Sequence, residues 1–259
     1  MSARPAGGRG FVASAVGVAV DWLVEPAERA APLPPADVVV ERLEERPVIA
    51  VVGLRSRCGT TVVARSLAAE LASHDATGAA AVTATELGGG GVPLGLPAAT
   101  RLARTLAPVS GGTSRACGRL CLVPAADRLR LADATRYLAP LVLDVGDPGE
   151  APAAVAIAGT VILVGGPGVE PALATLVAES LSRVGPAPMV VCNRPADGAE
   201  RWRELGAVEL PDSRMGARLA LAGREPHGEL GRAVRRLTEI CGSASSPATP
   251  GSAGPTARR

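Results

Sequence analysis

Short apolar runs rich in branched residues alternate along the chain with stretches whose apolar residues have helical spacing. Strand-like runs lie at 48–52, 79–83, 120–123, 141–143, 161–164, 189–192 and 207–210. Helix-like stretches lie at about 60–73, 97–107, 129–138, 151–157, 170–184, 197–204, 214–222 and 228–241. Continuous apolar strands alternating with helices are typical of a parallel sheet covered on both faces. The pattern therefore predicts a three-layer α/β/α domain over residues 38–241, with a mostly parallel sheet of about seven strands.

The two ends of the chain have a different composition. Residues 1–36 comprise a Gly/Arg-rich start that we expect to be disordered, an apolar stretch at 11–24 that favours a short helix, and a proline linker. Residues 242–259 are rich in Ser, Ala, Pro and Gly, which predicts a disordered tail. For the apolar stretch three interpretations stay open: packing on its own domain, docking on a partner or a membrane surface, and a signal or anchor.

Composition narrows the range of partners and compartments. The formal net charge is only +2, which argues against a nucleic-acid-binding protein. Five cysteines form neither a disulfide framework nor a zinc motif, so we expect buried thiols in a reducing cytoplasm. A cytoplasmic location is therefore predicted, with peripheral contact to the inner face of the membrane through residues 11–24 left open.

The loop after the first predicted strand has the layout of a phosphate-binding loop. It reads Arg55-Ser56-Arg57-Cys58-Gly59-Thr60-Thr61-Val62 and opens directly into a predicted helix. Backbone N–H groups of such a loop and helix N-terminus can cradle a phosphate, and the Thr61 hydroxyl stands where a Mg²⁺ ligand is expected. The motif lysine, however, is replaced by Thr60, and all 27 basic residues of the chain are arginine. An ordinary strand-to-helix turn remains the alternative.

The order of these segments resembles the MinD/ParA group of P-loop ATPases, which includes the CpaE/TadZ-like proteins of pilus assembly. The phosphate loop of that group reads K-G-G-x-G-K-T-T. Gly59 and Thr61 match this motif, and Arg55 keeps the charge of the signature lysine. The Walker A motif is degenerate, because Ser56, Arg57 and Thr60 depart from it.

Further elements of the group follow later strands. The group has a carboxylate after the second strand, where this chain has Thr83 and Thr85 and only Glu86 is acidic, one residue out of register. Asp144 resembles the strand-end aspartate that would hold Mg²⁺ through water, although a capping role is the alternative. Asn193 and Arg194 resemble the asparagine and arginine at the adenine, where an amide can both donate and accept; a turn asparagine is the alternative.

This resemblance implies a MinD/ParA-like P-loop NTPase fold that binds ATP and Mg²⁺, with Thr61 and Asp144 at the metal. Arg55 and Asp144 would be the catalytic residues if the protein is active. It also implies a homodimer with protein partners in bacterial pilus, secretion or division machinery. Loss of one ionic contact in such a site costs about 3 kcal/mol of transition-state stabilisation. We therefore expect a pseudo-ATPase that acts as a positioning or assembly scaffold, with weak or absent ATP–Mg²⁺ binding. The alternative is an active, ATP-dependent dimerising switch for pilus, septum or plasmid positioning, and enzymatic activity is left open.

Overall fold

The computed structural model describes residues 44–84, 94–124, 128–146, 148–195 and 199–245. The apolar stretch at 11–24, the proline linker, Thr85 and Glu86 lie outside the described residues. No helix within the described ranges is long and apolar enough to cross a membrane.

An eight-stranded sheet forms the centre of the domain. Its strands are β1 (Val48–Gly53), β2 (Ala80–Ala84), β3 (Arg115–Cys117), β4 (Leu120–Pro124), β5 (Leu141–Val145), β6 (Thr160–Gly165), β7 (Met189–Asn193) and β8 (Val208–Leu210). They lie in the order β3-β4-β2-β5-β1-β6-β7-β8, and every pair except β3–β4 is parallel. The predicted mostly parallel sheet is confirmed. Because β1 lies between β5 and β6, the loop that follows β1 is at the topological switch point of the sheet.

Strand β3 is the one element of the sheet that the sequence pattern did not predict. It pairs antiparallel with β4, with Ala116 opposite Cys121. Gly118 joins the two strands with a φ of 55°, which glycine adopts readily. A three-residue strand that begins with an exposed arginine carries no alternating apolar signal, so periodicity alone could not reveal it.

Helices cover both faces of the sheet. They are α1 (Thr60–His74), α2 (Pro97–Leu106), α3 (Arg128–Thr135), α4 (Ala151–Val155), α5 (Pro171–Leu181), α6 (Ala199–Glu204), α7 (Arg214–Leu221) and α8 (Gly228–Ser245). Alternate residues of β1 enter two separate apolar clusters, with Ala50 and Val52 in one and Ile49 and Val51 in the other. The first cluster includes residues of α2 to α6, and the second includes residues of α1 and α8. This is the predicted three-layer arrangement.

Helix α1 is the most deeply buried helix around the central strand. Small residues such as Ala64, Ala68 and Ala72 let it approach the sheet closely, which suits a chain in which only 2% of residues are aromatic. The same helix also buries the charged residue Glu70, whose side chain is 3% exposed. A carboxylate in this position needs partners to offset its lost hydration. Glu70 Oε1 accepts a hydrogen bond from Arg235 Nε of α8 at 3.3 Å and lies 3.1 Å from His74 Nε2.

We predict that Arg235→Ala lowers the free energy of unfolding by about 1–3 kcal/mol, because it removes a charged partner from a buried carboxylate. Arg232→Ala on the same helix is the matched control. The side chain of its partner Glu229 is 79% exposed, so the free energy of unfolding should fall by no more than about 0.5 kcal/mol. Urea denaturation of the two variants measures both values. Equal losses would show that the Glu70–Arg235 contact does not join α8 to α1.

Candidate functional site

The loop between β1 and α1 is held by short-range and cross-sheet hydrogen bonds. The Leu54 N–H donates to the Val164 carbonyl of β6 at 3.0 Å, and the Cys58 N–H donates back to the Arg55 carbonyl at 3.4 Å. Gly59 then enters the left-handed region, with a φ of 90°, and α1 begins at Thr60. No side chain caps this helix start, so its first N–H groups are oriented toward the carboxyl edge of the sheet without a side-chain partner. The geometry is that of an anion cradle.

The end of β7 is fastened to this loop by two side chains. The Asn193 amide nitrogen donates to the Cys58 carbonyl at 2.9 Å, and it lies where a Cβ on residue 59 would be. Arg194 Nη2 donates to the Arg57 carbonyl at 2.9 Å. Both arginines adopt a positive φ, 65° at Arg57 and 55° at Arg194, which is uncommon outside glycine. Asn193 thus anchors the loop in this structure, whereas its predicted role at the adenine stays a prediction.

Thr60, at the position where the motif comparison expects a lysine, is buried at the base of the loop. The residue is 7% exposed, and its Oγ1 lies 3.2 Å from the Cys58 Sγ. Gly53 at the end of β1 leaves room for this hydroxyl, since a Cβ there would overlap Oγ1. Thr60 therefore fills the space beneath the loop. It does not extend over the loop as a longer lysine side chain could.

Thr61 and Asp144 meet at the carboxyl ends of β1 and β5. Asp144 is 6% exposed, and its carboxylate accepts a hydrogen bond from the Thr61 hydroxyl. Its backbone N–H donates to Thr83 Oγ1 at 2.8 Å. Burial raises the pKa of the Asp144 carboxyl, whereas the Thr61 hydrogen bond and the positive charge of Arg65 oppose that rise. Within the described residues, Asp144 Oδ1 is buried without a hydrogen-bond partner.

This pair of oxygen ligands fits Mg²⁺. Mg²⁺ is usually held by one or two protein oxygens together with phosphates and water, and an unpartnered carboxylate oxygen is available at Asp144. A Mg²⁺ ion there would offset the buried negative charge and orient a phosphate. By contrast, Thr83 of β2 is fully buried, and its Oγ1 accepts a hydrogen bond from the backbone N–H of Asp144.

The remaining residues of the predicted site also lie at this edge. Arg55, Ser56 and Arg57 are exposed, and Arg55 Nη1 donates to the Gly168 carbonyl in the loop after β6 at 3.3 Å. Val62 is half-buried in the first turn of α1. The structure thus brings together Arg55 to Val62, Asp144, Asn193 and Arg194, and the functional roles assigned to them remain predictions.

Sequence reasoning missed Arg65. Its side chain is buried on α1, one helical turn beyond Thr61, and its Nη1 donates to the Leu221 carbonyl at 3.2 Å. The sequence did contain one signal. Arg65 follows Thr61 by four residues, and residues four apart share one face of a helix. An arginine in an amphipathic pattern is instead normally interpreted as facing solvent.

No protein-family model and no curated protein matches the sequence. Solved structures do match. The MinD cell division protein of Aquifex aeolicus aligns with a TM-score of 0.53 and 17% identity, over 78% of this chain and 99% of that chain. An ATP complex of a variant McdA from Cyanothece aligns with a TM-score of 0.55 and 11% identity, over 77% of this chain and 97% of that chain. A plasmid partition protein from Borrelia burgdorferi aligns with a TM-score of 0.50 and 10% identity, over 77% of this chain and 99% of that chain.

At these identities the likeness is one of fold. The chain has the fold of the MinD/ParA-type P-loop NTPases, as the resemblance of its motifs implied. The loop after β1 occupies the switch point at which this class of sheet places its ligands.

We predict that Gly59→Ala destabilises the domain more than Gly111→Ala does. Both positions have a positive φ, 90° and 63°, so both variants bear a backbone cost of about 1–2 kcal/mol. Only at residue 59 does the new Cβ also displace the Asn193 amide, which should add about 1–2 kcal/mol. A Cβ at residue 111 has no atom within 4 Å. Denaturant titration compares the two, and equal losses would mean that the Asn193 contact does not hold the loop.

Proposed function

We propose that the protein is a pseudo-ATPase, a MinD/ParA-like scaffold that positions or assembles larger machinery with weak or absent ATP hydrolysis. The observation that carries this proposal is the burial of Thr60 against Cys58, in a chain that contains no lysine. Phosphoryl transfer depends on positioning and on charge placed at the β- and γ-phosphates. A buried hydroxyl supplies no such charge.

The exposed arginines do not restore the missing contact. Arg55 and Arg57 lie on the outer side of the loop, and the guanidinium of Arg55 is directed to the Gly168 carbonyl. A planar guanidinium also differs in size and geometry from an ammonium, so it does not occupy the same point. The missing cation is expected to cost about 2.7–4 kcal/mol, or two to three orders of magnitude in rate.

Weak nucleotide binding remains compatible with the site. The uncapped start of α1 can accept phosphate oxygens, and Thr61 with Asp144 can hold Mg²⁺. Asn193 and Arg194 would have to leave the carbonyls of Cys58 and Arg57 to reach an adenine. One of the structures with a similar fold is an ATP complex, which supports ATP as the ligand to test.

The second candidate is an active, ATP-dependent switch. The Thr61–Asp144 pair favours it, because this pair has the donors and the burial that a Mg²⁺ site requires. A carboxylate to orient the attacking water would then have to come from Glu86, which lies outside the described residues.

For partners, we propose a homodimer that engages proteins of pilus, secretion or division machinery in the bacterial cytoplasm, within the CpaE/TadZ-like or septum-site-determining branch. One similar fold is that of MinD in a MinC:MinD cell division protein complex, which supports a protein partner. The proposal includes peripheral contact with the membrane through residues 11–24. It does not include a nucleic-acid partner.

Thr60→Lys should tighten binding of a non-hydrolysable ATP analogue with Mg²⁺ by about 1.5–3 kcal/mol, the value of a hydrogen bond to a charged group. Calorimetric titration measures this change. Hydrolysis should stay negligible in the variant unless a carboxylate is also introduced at Thr85.

The matched control is Thr105→Lys, which adds the same charge to an exposed position on α2, close to Thr77 at the amino edge of the sheet. This variant should bind the analogue as wild type does. If both lysines tighten binding equally, the effect is one of net charge, and Thr60 does not occupy the position of the motif lysine.

Deleting residues 1–36 should leave the melting temperature unchanged and abolish dimerisation, because we expect the apolar stretch to serve association and not folding. Differential scanning calorimetry and light scattering measure the two properties. A lower melting temperature in a protein that is monomeric with or without these residues would contradict the proposal.

A further inference from the structure

A groove of about 250 Å³ lies at the amino edge of the sheet, the edge opposite to the loop after β1. It follows one face of α2, where Arg101 and Thr105 line it, and it adjoins the turn between α1 and β2. The rest of its lining consists of short or apolar side chains: Ala76, Thr77, Ala79, Ala98, Leu102 and Leu138. Because Ala79 and Leu102 are buried members of the apolar core, the groove leads from solvent to an apolar interior.

The polar side chains of the lining leave one donor for a ligand. The Thr77 hydroxyl donates to Asp75 Oδ1 at 2.6 Å, and the Thr105 hydroxyl donates to the Arg101 carbonyl at 3.1 Å. Both hydroxyl protons are therefore already engaged. The guanidinium of Arg101, by contrast, forms no ion pair among the residues that the structure describes.

The charges around the groove favour an anion. Helix α2 contains two arginines and no acidic residue. Asp75, the carboxylate next to the lining, is only 6% exposed at its side chain and already pairs with Arg46 at 3.2 Å. An anion beside Arg101 would therefore be attracted by the guanidinium, and the repulsion from Asp75 would be offset by Arg46.

We propose that this groove binds a small monocarboxylate with an apolar body, its carboxylate on Arg101 and its hydrocarbon part against Ala79 and Leu102. A guanidinium presents two parallel N–H donors that match the two oxygens of a carboxylate. The volume lies below the ~300 Å³ at which sites for drug-sized ligands begin. The ligand therefore has the size of a short fatty acid or of an acid with a single aromatic ring. The groove is separate from the candidate nucleotide site, and the inference goes beyond the proposed function.

The competing interpretation is that the groove is a gap in the packing and that Arg101 is an ordinary solvated arginine. Carboxylates would then bind weakly, with an affinity that does not depend on the length of their hydrocarbon chain. Replacement of any exposed arginine on α2 would also have the same small effect. The two interpretations therefore separate on a binding series and on paired variants.

The experiment is titration of the isotope-labelled full chain with butanoate, hexanoate and octanoate, followed by two-dimensional amide NMR. Each added methylene should tighten binding by up to about fourfold, the effect of burying one such group. Hexanamide and hexylamine keep the apolar body without the carboxylate, and they should bind at least about tenfold more weakly than hexanoate.

The amide signals also locate the ligand. Shifts should be largest at Thr77 and Leu102. Shifts centred on Gly59 and Thr60 would place the carboxylate on the loop after β1 and overturn the proposal. Equal affinities across the three carboxylates, or no saturable binding, would overturn it as well.

Arg101→Gln should weaken hexanoate binding at least about tenfold, because it removes the charged donor. Arg104→Gln is the matched control, since Arg104 is exposed on the same helix and lies outside the lining. Its affinity for hexanoate should stay within about twofold of wild type, because salt screens an exposed charge at a distance. Equal losses in the two variants would assign the effect to net charge and overturn the role of Arg101.

Ala98→Leu tests the apolar part of the site. The added side chain takes up room in the groove, so hexanoate binding should be lost although Arg101 is unchanged. Thr105→Leu, at an exposed position of the same lining, makes the same test if Ala98→Leu does not fold. Undiminished binding in a folded variant would show that the carboxylate rests on the outer surface, which would overturn the proposal.

Two further outcomes concern other occupants of the groove. Hexanoate binding that appears only after deletion of residues 1–36 would show that another part of the chain takes this place. Affinity for hexanoate that falls as the protein concentration rises would assign the groove to a second copy of the chain. Either result would overturn the proposal, which expects the same affinity under all of these conditions.

Discussion

The close approach of β7 to the loop after β1 is the constraint on which the site depends. Gly59 has no side chain, so the Asn193 amide can lie against its backbone and donate to the Cys58 carbonyl. This contact fixes the left-handed turn from which α1 starts. The helix in turn carries Thr61 to the end of β5, where its hydroxyl meets Asp144. Any larger residue at position 59 would displace the Asn193 amide and so disturb the start of α1 and the contact between Thr61 and Asp144.

If the proposed function is right, the architecture of a nucleotide site and the charges that operate it are separable in this chain. The loop has a left-handed turn at Gly59, α1 starts without a side-chain cap, and Thr61 lies beside Asp144. Thr60, at the position that the motif comparison assigns to the lysine, is packed against Cys58. A second cation, Arg65, is instead buried within α1.

The fold could be predicted from the sequence because its strands are continuous apolar runs, each followed by a helix. The meeting of Thr61 and Asp144 also follows from sequence, since parallel strands end at one edge of the sheet. Strand β3 was missed because three residues carry no periodic signal. The Asn193–Cys58 hydrogen bond and the burial of Arg65 are long-range side-chain features. Local pattern does not report such features, because they depend on which loops and helices meet.

A single-turnover experiment tests the pseudo-ATPase proposal most directly. Protein is held in excess over radiolabelled ATP, with and without Mg²⁺, so that even slow chemistry at a weakly occupied site produces detectable phosphate. A pseudo-ATPase should form no phosphate above the rate without protein. Magnesium-dependent conversion of the bound ATP to ADP and phosphate, abolished by Asp144→Asn, would contradict the proposal and establish the protein as a switch ATPase.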